Sequence, residues 1–269
     1  MKKIILLTLS VLFLSELIAQ DGSYANVNGI RQYYEIQGEG EPLVLLHNFF
    51  TSHKVWEQWI DSLSIDFKLI IPDLRGHGNS TNPSNVFRHE DSAKDIYALM
   101  DELNINKFKA IGASSGGMTL IHMATMDSTR IKSMVLVGAT SYLSQADREF
   151  KKTLTFETIP ESWLSNMRIH QPGGDSQIKI LLKQFSATAY VFDDMNFTPP
   201  YLSLIKCPTL IVHGDNDGFF PIEIPVEMHK AIPNSFLWII PNGEHLPVWD
   251  TLWSDKFLEI SKLFLTGEL

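Results

Sequence analysis

The chain has 269 residues, of which 44% are hydrophobic and 20% are charged, a composition typical of a globular protein with a sizeable core. Its formal net charge is −9, and its Lys and Arg residues are scattered rather than clustered. This distribution argues against a nucleic-acid-binding surface, because phosphate backbones are bound by basic patches. Cys207 is the single cysteine, which excludes an intramolecular disulfide.

The first twenty residues have the organisation of a secretory signal peptide. Lys2 and Lys3 precede an apolar run over residues 4–14, and small or polar residues follow as far as Gln20. The apolar run is shorter than the roughly 20 residues that a membrane-spanning helix needs. We therefore expect removal of residues 1–20, a periplasmic or extracellular mature protein, and no stable membrane insertion after processing.

Short apolar runs then alternate with segments of helical periodicity, which is typical of a mainly parallel sheet covered by helices. Residues 24–28 and 31–37 flank Gly29 and predict an antiparallel hairpin at the sheet edge. Amphipathic helices are expected over residues 91–103 and 248–265. The buried strands are predicted at residues 43–47, 67–71, 108–112, 134–138, 210–213 and 236–240.

Residues 141–205 interrupt this alternation, since they contain helical pieces and several prolines but no convincing strand. We interpret them as a helical insertion between two strands, with residues 21–140 and 206–269 forming the core. Open α/β folds bind ligands at the carboxyl edge of the sheet, where such an insertion lies. The bulky apolar residues of the insertion are therefore expected to help shape a pocket.

The segment Gly112-Ala113-Ser114-Ser115-Gly116 directly follows one predicted strand and precedes a buried helical stretch. A Gly-x-Ser-x-Gly turn in this context is typical of a nucleophile elbow, in which the glycines avoid clashes with the neighbouring strand and helix. A serine hydroxyl needs a histidine to accept its proton and a carboxylate to orient that histidine. The sequence therefore has to supply both partners.

Both partner types occur later in the chain, in the order that this kind of site requires. Asp215 and Asp217 directly follow the predicted strand at residues 210–213, and His245 lies on the loop after the last predicted strand. Carboxyl ends of parallel strands meet at one edge of a sheet, so these side chains are expected near Ser114. At this point either aspartate is a candidate for the acid.

Several separate motifs resemble those of the α/β-hydrolase superfamily. They are the oxyanion loop Leu45-Leu46-His47-Asn48-Phe49, the Asp-x-Arg-Gly-x-Gly-x-Ser loop at residues 73–80, the elbow, and the acid strand at residues 208–217. The chain is similar to those serine hydrolases of the superfamily that have a lid inserted after strand six. The resemblance implies a mostly parallel eight-stranded sheet with helices on both faces and a helical lid at residues 141–205.

The resemblance also implies roles for individual residues. Ser114 is the expected nucleophile, His245 the general base and acid, and Asp217, the second acid of its strand, the residue that orients His245. The backbone N–H groups of Phe49 and Ser115 are expected to form the oxyanion hole. No cofactor and no metal ion is implied. The residues expected to contact substrate are Asn48, Phe50, Trp163 and Leu246.

Two positions need separate interpretation. Asn48 stands where the family has glycine, and its side chain is expected either to crowd the oxyanion hole or to form hydrogen bonds within it. Asp73 and Arg75 are interpreted as holding the turn at residues 73–80 through local ion pairing and hydrogen bonds, rather than as catalytic groups.

The favoured function is hydrolysis of a carboxylic ester, or of a related small acyl substrate, through an acyl-enzyme on Ser114. The same triad supports two other activities, cleavage of a carbon–carbon bond in a diketone and formation of a peracid. A non-catalytic protein that binds a small hydrophobic ligand is the third alternative, because a fold does not guarantee an activity.

Overall fold

The computed structural model describes residues 22–249 and 251–269. The predicted signal peptide at residues 1–20 lies outside the described residues and stays a prediction, as do the compartments inferred from it. Within the described residues, no helix combines the length and the apolar character required to cross a lipid bilayer.

The strands form a single sheet in the order β1-β2-β4-β3-β5-β6-β7-β8. β1 and β2 form an antiparallel hairpin, β2 pairs antiparallel with β4, and all other neighbours are parallel. The predicted eight-stranded, mostly parallel sheet with an edge hairpin is confirmed. The strands are β1 (Ser23–Val27), β2 (Ile30–Gln37), β3 (Glu41–Leu46), β4 (Phe67–Pro72), β5 (Phe108–Ala113), β6 (Ile131–Val137), β7 (Thr209–Gly214) and β8 (Ser235–Ile240).

Helices cover both faces of this sheet because the central strands are apolar on both sides. Val44 and Leu46 face one core, whereas Leu43 and Leu45 face the core on the opposite side. The first core contains residues of α2 (His89–Glu102), α3 (Ser115–Met126) and α8 (Glu223–Ala231), and the second contains residues of α1 (Glu57–Leu63) and α9 (Ser254–Thr266).

The helix predicted over residues 91–103 is confirmed as α2, but the prediction for residues 248–265 was wrong at its start. α9 begins only at Ser254, and the described residues just before it, 247–249 and 251–253, form turns and a bend, in which the Thr251 hydroxyl donates to the Pro247 carbonyl. Val248 and Trp249 are apolar because they pack in the second core from these turns. Their spacing therefore reflects tertiary burial rather than an amphipathic helix.

Between β6 and β7 the chain forms four helices and no strand of the sheet. Three of these helices, α4 to α6, enclose a separate apolar cluster that includes Leu164, Ile178 and Leu182. The isolated bridge between Tyr142 and Asn196 joins the beginning and the end of this segment. That residues 141–205 act as a lid stays a prediction. The helices are α4 (Gln145–Thr153), α5 (Glu161–His170), α6 (Gly174–Thr188) and α7 (Pro199–Leu202).

Candidate active site

Ser114 occupies a strained turn between β5 and α3. Its φ of 47° and ψ of −112° lie in a region that residues other than glycine seldom adopt. The turn is anchored because the Ser114 N–H donates to the Val137 carbonyl of β6. The hydroxyl is thereby held at the carboxyl edge of the sheet, as the elbow motif predicts.

Gly116 permits this turn because it lets α3 approach the end of β3. A Cβ atom at Gly116 would lie 2.1 Å from the Leu46 carbonyl oxygen, which belongs to the backbone and has no room to move. We expect Gly116→Ala to lower the free energy of unfolding by about 3 kcal/mol through overpacking. In a protein of this size that loss lowers Tm by roughly 9 °C.

Thermal unfolding followed by circular dichroism measures the effect of Gly116→Ala. Gly218→Ala is the matched control, because a Cβ atom at Gly218 meets no atom within 4 Å. Equal unfolding temperatures for the two variants would show that the close approach at Gly116 does not constrain the fold.

Ser114, His245 and Asp217 form a continuous hydrogen-bonded chain. The Ser114 hydroxyl lies 2.9 Å from Nε2 of His245, and Nδ1 of His245 lies 2.8 Å from Oδ2 of Asp217. In the arrangement that supports catalysis, the serine donates to Nε2 and the Nδ1–H group donates to the carboxylate. The structure thus brings together all three residues that the sequence pointed to as a triad.

The Asp217 carboxylate is inaccessible to solvent and is held on both oxygens. Its Oδ1 atom accepts hydrogen bonds from the backbone N–H groups of Phe219 and Phe220, at 2.8 and 3.1 Å. Burial acts to raise the pKa of Asp217, but the hydrogen bond and the charge of His245 outweigh it and the pKa is lowered. Asp217 is therefore a fixed anion. Asp215, the other candidate, is exposed.

Two glycines allow the His245 loop to cross the sheet edge from β8 back to Ser114. A Cβ atom at Gly138 would lie 2.3 Å from the His245 carbonyl oxygen, and one at Gly214 would lie 2.1 Å from the Gly243 carbonyl oxygen. The loop therefore packs directly on the ends of β6 and β7.

The rings of Phe219 and Phe220 contact the His245 imidazole, with ring centroids 4.8 and 5.2 Å away. These contacts restrict the orientation of the imidazole.

The two predicted oxyanion donors lie at the ends of neighbouring strands. β3 and β5 pair in parallel with Leu46 opposite Gly112, so the loops that contain Phe49 and Ser115 are adjacent. Both residues line the same cavity as Ser114. Neither backbone N–H donates a hydrogen bond to any other residue within 22–249 or 251–269. Both N–H groups are available to a ligand oxygen.

Asn48 forms hydrogen bonds within its own loop. Its amide donates to the Phe49 carbonyl at 3.2 Å and its Oδ1 accepts from the Thr51 hydroxyl at 2.8 Å. The left-handed backbone conformation occurs at Phe50, with φ of 69°, and not at Asn48. The side chain therefore braces the loop, and its expected effect on the oxyanion hole, by crowding or by hydrogen bonding, stays a prediction.

Local hydrogen bonds hold the loop at residues 73–80 as expected, but the Asp73–Arg75 ion pair expected from sequence was wrong. Asp73 accepts hydrogen bonds from the backbone N–H groups of His53 and Asn79, at 2.7 and 2.8 Å. The Arg75 guanidinium instead pairs with Asp95 of α2 at 2.7 Å. Both charges are buried, so each takes the partner that the packing of adjacent elements provides.

A second Ser-His-Asp chain lies beside the first and was missed by sequence reasoning. The Ser115 hydroxyl lies 3.3 Å from Nε2 of His89, and Nδ1 of His89 lies 2.7 Å from Asp194. Asp194 also accepts from the backbone N–H of His89, and its pKa is lowered because the charge and hydrogen bonds of His89 outweigh the effect of burial. This buried chain fixes the Ser115 side chain and ties α3 to the segment before α7.

A cavity of about 690 Å³ opens in front of Ser114, between the sheet edge and helices α4 to α6. The four residues predicted to contact substrate all line it, although their roles in binding stay predictions. The exposed Trp163 and Leu252 lie at its rim, so that the cavity is open to solvent. The four predicted residues are Asn48, Phe50, Trp163 and Leu246.

A family model described as "alpha/beta hydrolase fold" matches residues 41–170 and 164–252. The chain belongs to the α/β-hydrolase family. This α/β-hydrolase is 28% identical over 252 residues to the human protein named "Serine hydrolase BPHL", covering 89% of this chain and 84% of the relative. It is 24% identical over 244 residues to the pimeloyl-[acyl-carrier protein] methyl ester esterase of Vibrio atlanticus (strain LGP32), covering 80% and 91%.

Solved structures confirm the fold of this α/β-hydrolase. The meta-cleavage product hydrolase from Pseudomonas fluorescens IP01 superposes with a TM-score of 0.75 at 22% identity, covering 92% of this chain and 98% of the other. The sequence relatives, a serine hydrolase and a methyl ester esterase among them, support a hydrolytic enzyme. Their names do not agree on one substrate, so the substrate stays open.

Several cavity residues of this α/β-hydrolase were not singled out from sequence as substrate contacts. Phe219 and Phe220 lie two and three residues after the acid Asp217, and that position was the available signal for them. Asp147 and Lys151 lie one turn apart on α4 and line the cavity. Charged residues at this spacing are usual on solvated helix faces, so their burial was not readable from sequence.

Proposed function

We propose that the protein is a serine carboxylesterase that cleaves a carboxylic ester through an acyl-enzyme on Ser114. The single observation that carries the proposal is the unbroken Ser114–His245–Asp217 chain at 2.9 and 2.8 Å, which faces a solvent-open cavity. The two N–H groups without protein partners, at Phe49 and Ser115, provide the complementary oxyanion site. This combination is the one that acyl transfer requires.

The proposed reaction begins when the Ser114 oxygen attacks the ester carbonyl carbon and its proton passes to Nε2 of His245. The imidazolium that forms is stabilised by the buried Asp217 carboxylate. The N–H groups of Phe49 and Ser115 hold the negative oxygen of the tetrahedral intermediate, and each such donor is worth about 3 kcal/mol. His245 then gives its proton to the leaving alkoxide, which departs as an alcohol.

Deacylation repeats these steps with water as the nucleophile. Water enters through the open rim of the cavity, and His245 takes one of its protons while the oxygen attacks the acyl carbon. Collapse of the second tetrahedral intermediate releases the carboxylic acid and returns the proton to Ser114. The overall reaction converts an ester and water into an acid and an alcohol.

The apolar part of the cavity supports an ester with a hydrocarbon portion. Met118, Met167 and Phe185 line it together with Phe219. The methyl ester esterase from Vibrio atlanticus, 24% identical to this chain, agrees with an ester substrate. The likeness to the meta-cleavage product hydrolase stands at 22% identity and supports the fold alone.

The test is release of p-nitrophenol from acetate, butyrate and octanoate esters, compared with cleavage of a 1,3-diketone followed by loss of its ultraviolet absorbance. We expect at least one ester to exceed the diketone in kcat/KM by about tenfold or more, since an alkoxide leaves with less difficulty than a carbanion. Labelling by a fluorophosphonate is expected to modify Ser114.

The opposite preference, for the diketone, would assign carbon–carbon bond hydrolysis to the same triad. Peracid formation would show as peroxide-dependent consumption of the ester with little acid released. Folded protein that turns over no substrate and takes up no fluorophosphonate would identify a protein that only binds its ligand.

A further inference from the structure

Two charged side chains on α4 form part of the cavity wall. Asp147 and Lys151 are one helical turn apart, line the cavity that contains Ser114, and are only 3% and 5% exposed. Charged side chains are seldom buried to this extent unless they are paired. The contacts of these two side chains therefore indicate which kind of ligand the cavity can bind.

The Lys151 ammonium lacks a protein acceptor. It forms neither a hydrogen bond nor an ion pair with any residue in 22–249 or 251–269, and it lies over the Phe185 ring at 3.5 Å from the centroid. Asp147 also lacks a partner within this part of the chain, since its Oδ2 atom is buried without a hydrogen bond. Within the described residues, the Lys151 ammonium thus has unused hydrogen-bonding capacity in the cavity wall, and the buried Oδ2 atom of Asp147 lies unsatisfied on the same helix.

The neighbouring cations of the same helix are engaged elsewhere. The Arg148 guanidinium donates to the carbonyls of Ala189 and Val191, each at 3.0 Å. The Lys152 ammonium pairs with Glu149 at 2.8 Å on the outer surface. These contacts leave Lys151 as the cation of α4 that faces the cavity. A ligand atom is therefore the natural partner of its ammonium.

Electrostatics favour an anion at this position. Burial lowers the pKa of Lys151 to about 8, so the side chain is still mainly an ammonium at pH 7. Burial likewise raises the pKa of Asp147, although the charges of Lys151, Arg148 and His245 oppose the shift. Lys151 therefore presents a positive charge to the cavity at pH 7.

We propose that Lys151 binds a carboxylate on the acyl part of the substrate, so that the preferred esters are monoesters of dicarboxylic acids. This inference rests on the proposed esterase function and names the substrate class of the same site. The substrate carboxylate accepts a charge-assisted hydrogen bond from the Lys151 ammonium, and the hydrocarbon chain between the two acyl ends lies against the apolar wall.

The test compares two p-nitrophenyl esters of equal acyl length, the hydrogen glutarate and the pentanoate. For the unaltered protein we expect kcat/KM for the glutarate ester to exceed that for the pentanoate by about tenfold or more, in line with one charge-assisted contact. Lys151→Met, which keeps the length of the side chain without its charge, is expected to lower this ratio at least about tenfold. The ratio should also fall as the pH rises through about 8, because the ammonium loses its proton.

Lys152→Met is the matched control, since Lys152 is the next residue of α4 and its ammonium pairs with Glu149. We expect it to leave both esters and their ratio unchanged. Asp147→Asn removes a carboxylate that competes with the substrate for Lys151, so it is expected to maintain or increase the preference for the glutarate ester.

Three outcomes would overturn the inference. The first is a preference for the pentanoate ester in the unaltered protein, and the second is an equal loss on both esters in Lys151→Met, which would indicate a structural role. The third is a preference for the p-nitrophenyl ester of alanine that Asp147→Asn abolishes, since it would assign the wall to ammonium recognition. Thermal unfolding of each variant separates these outcomes from loss of the fold.

Binding of glutarate itself to Ser114→Ala protein, measured by calorimetry, tests the inference without turnover. Binding that Lys151→Met weakens about tenfold or more supports the carboxylate site even if no ester is hydrolysed. Absence of binding, with the pentanoate ester turned over normally by the unaltered protein, would overturn the role of Lys151 and leave the esterase function standing.

Discussion

Replacement of Ser114 by Ala is expected to lower kcat for p-nitrophenyl ester hydrolysis by about 10⁴-fold, because the acyl-enzyme can no longer form. The oxyanion donors at Phe49 and Ser115 remain in this variant, so a small activity above the uncatalysed rate should persist. Initial rates of p-nitrophenol release measure the loss. Mass spectrometry after fluorophosphonate treatment should show no adduct on the variant.

Ser115→Ala is the matched control for this experiment, since Ser115 is the adjacent serine and its hydroxyl belongs to the second chain with His89 and Asp194. Its contribution to the oxyanion site is a backbone N–H, which alanine keeps. We expect a loss below about tenfold, well short of what loss of a nucleophile causes. Retention of the covalent label by Ser114→Ala together with its absence in Ser115→Ala would reverse the assignment of the nucleophile.

The second large effect is expected for Asp217→Asn, with kcat lowered by about 10⁴-fold. An amide at this position donates a hydrogen bond to Nδ1 of His245 and so favours the tautomer that carries its proton on Nε2. That tautomer cannot accept the Ser114 proton, although the 2.8 and 2.9 Å geometry is preserved. The loss should therefore occur in kcat, with little change in the unfolding temperature.

Asp215→Asn is the matched control for Asp217→Asn. Asp215 lies two residues earlier on the same loop, but it is exposed and accepts no hydrogen bond from His245. We expect its kcat and KM to remain within about twofold of the unaltered protein, as is usual for surface substitutions. Comparable losses in the two variants would contradict the choice of Asp217 as the residue that orients His245.

The sheet and the elbow were predictable because they depend on patterns local to the chain. Continuous apolar runs, which are typical of strands buried on both faces of a sheet, predicted the parallel strands. The glycines around Ser114 indicated a turn that only small residues tolerate. The order of Ser114, Asp217 and His245 was also readable, because carboxyl ends of parallel strands share one edge. The helix predicted to begin at residue 248 was wrong for residues 248, 249 and 251–253. Apolar side chains among them are spaced as in a helix, but they pack in the second core from turns.

By itself, the sequence determined the fold class, the nucleophile turn and the residue types of the triad, since each follows from short-range chemistry. The tertiary structure decided the partners of the buried charges. Arg75 pairs with Asp95 across two elements, and of the adjacent Lys151 and Lys152 only the first faces the cavity. The pairing and burial of these charged side chains depend on how elements such as α4 are oriented and on which other elements pack against them. These are long-range properties that no local sequence pattern encodes.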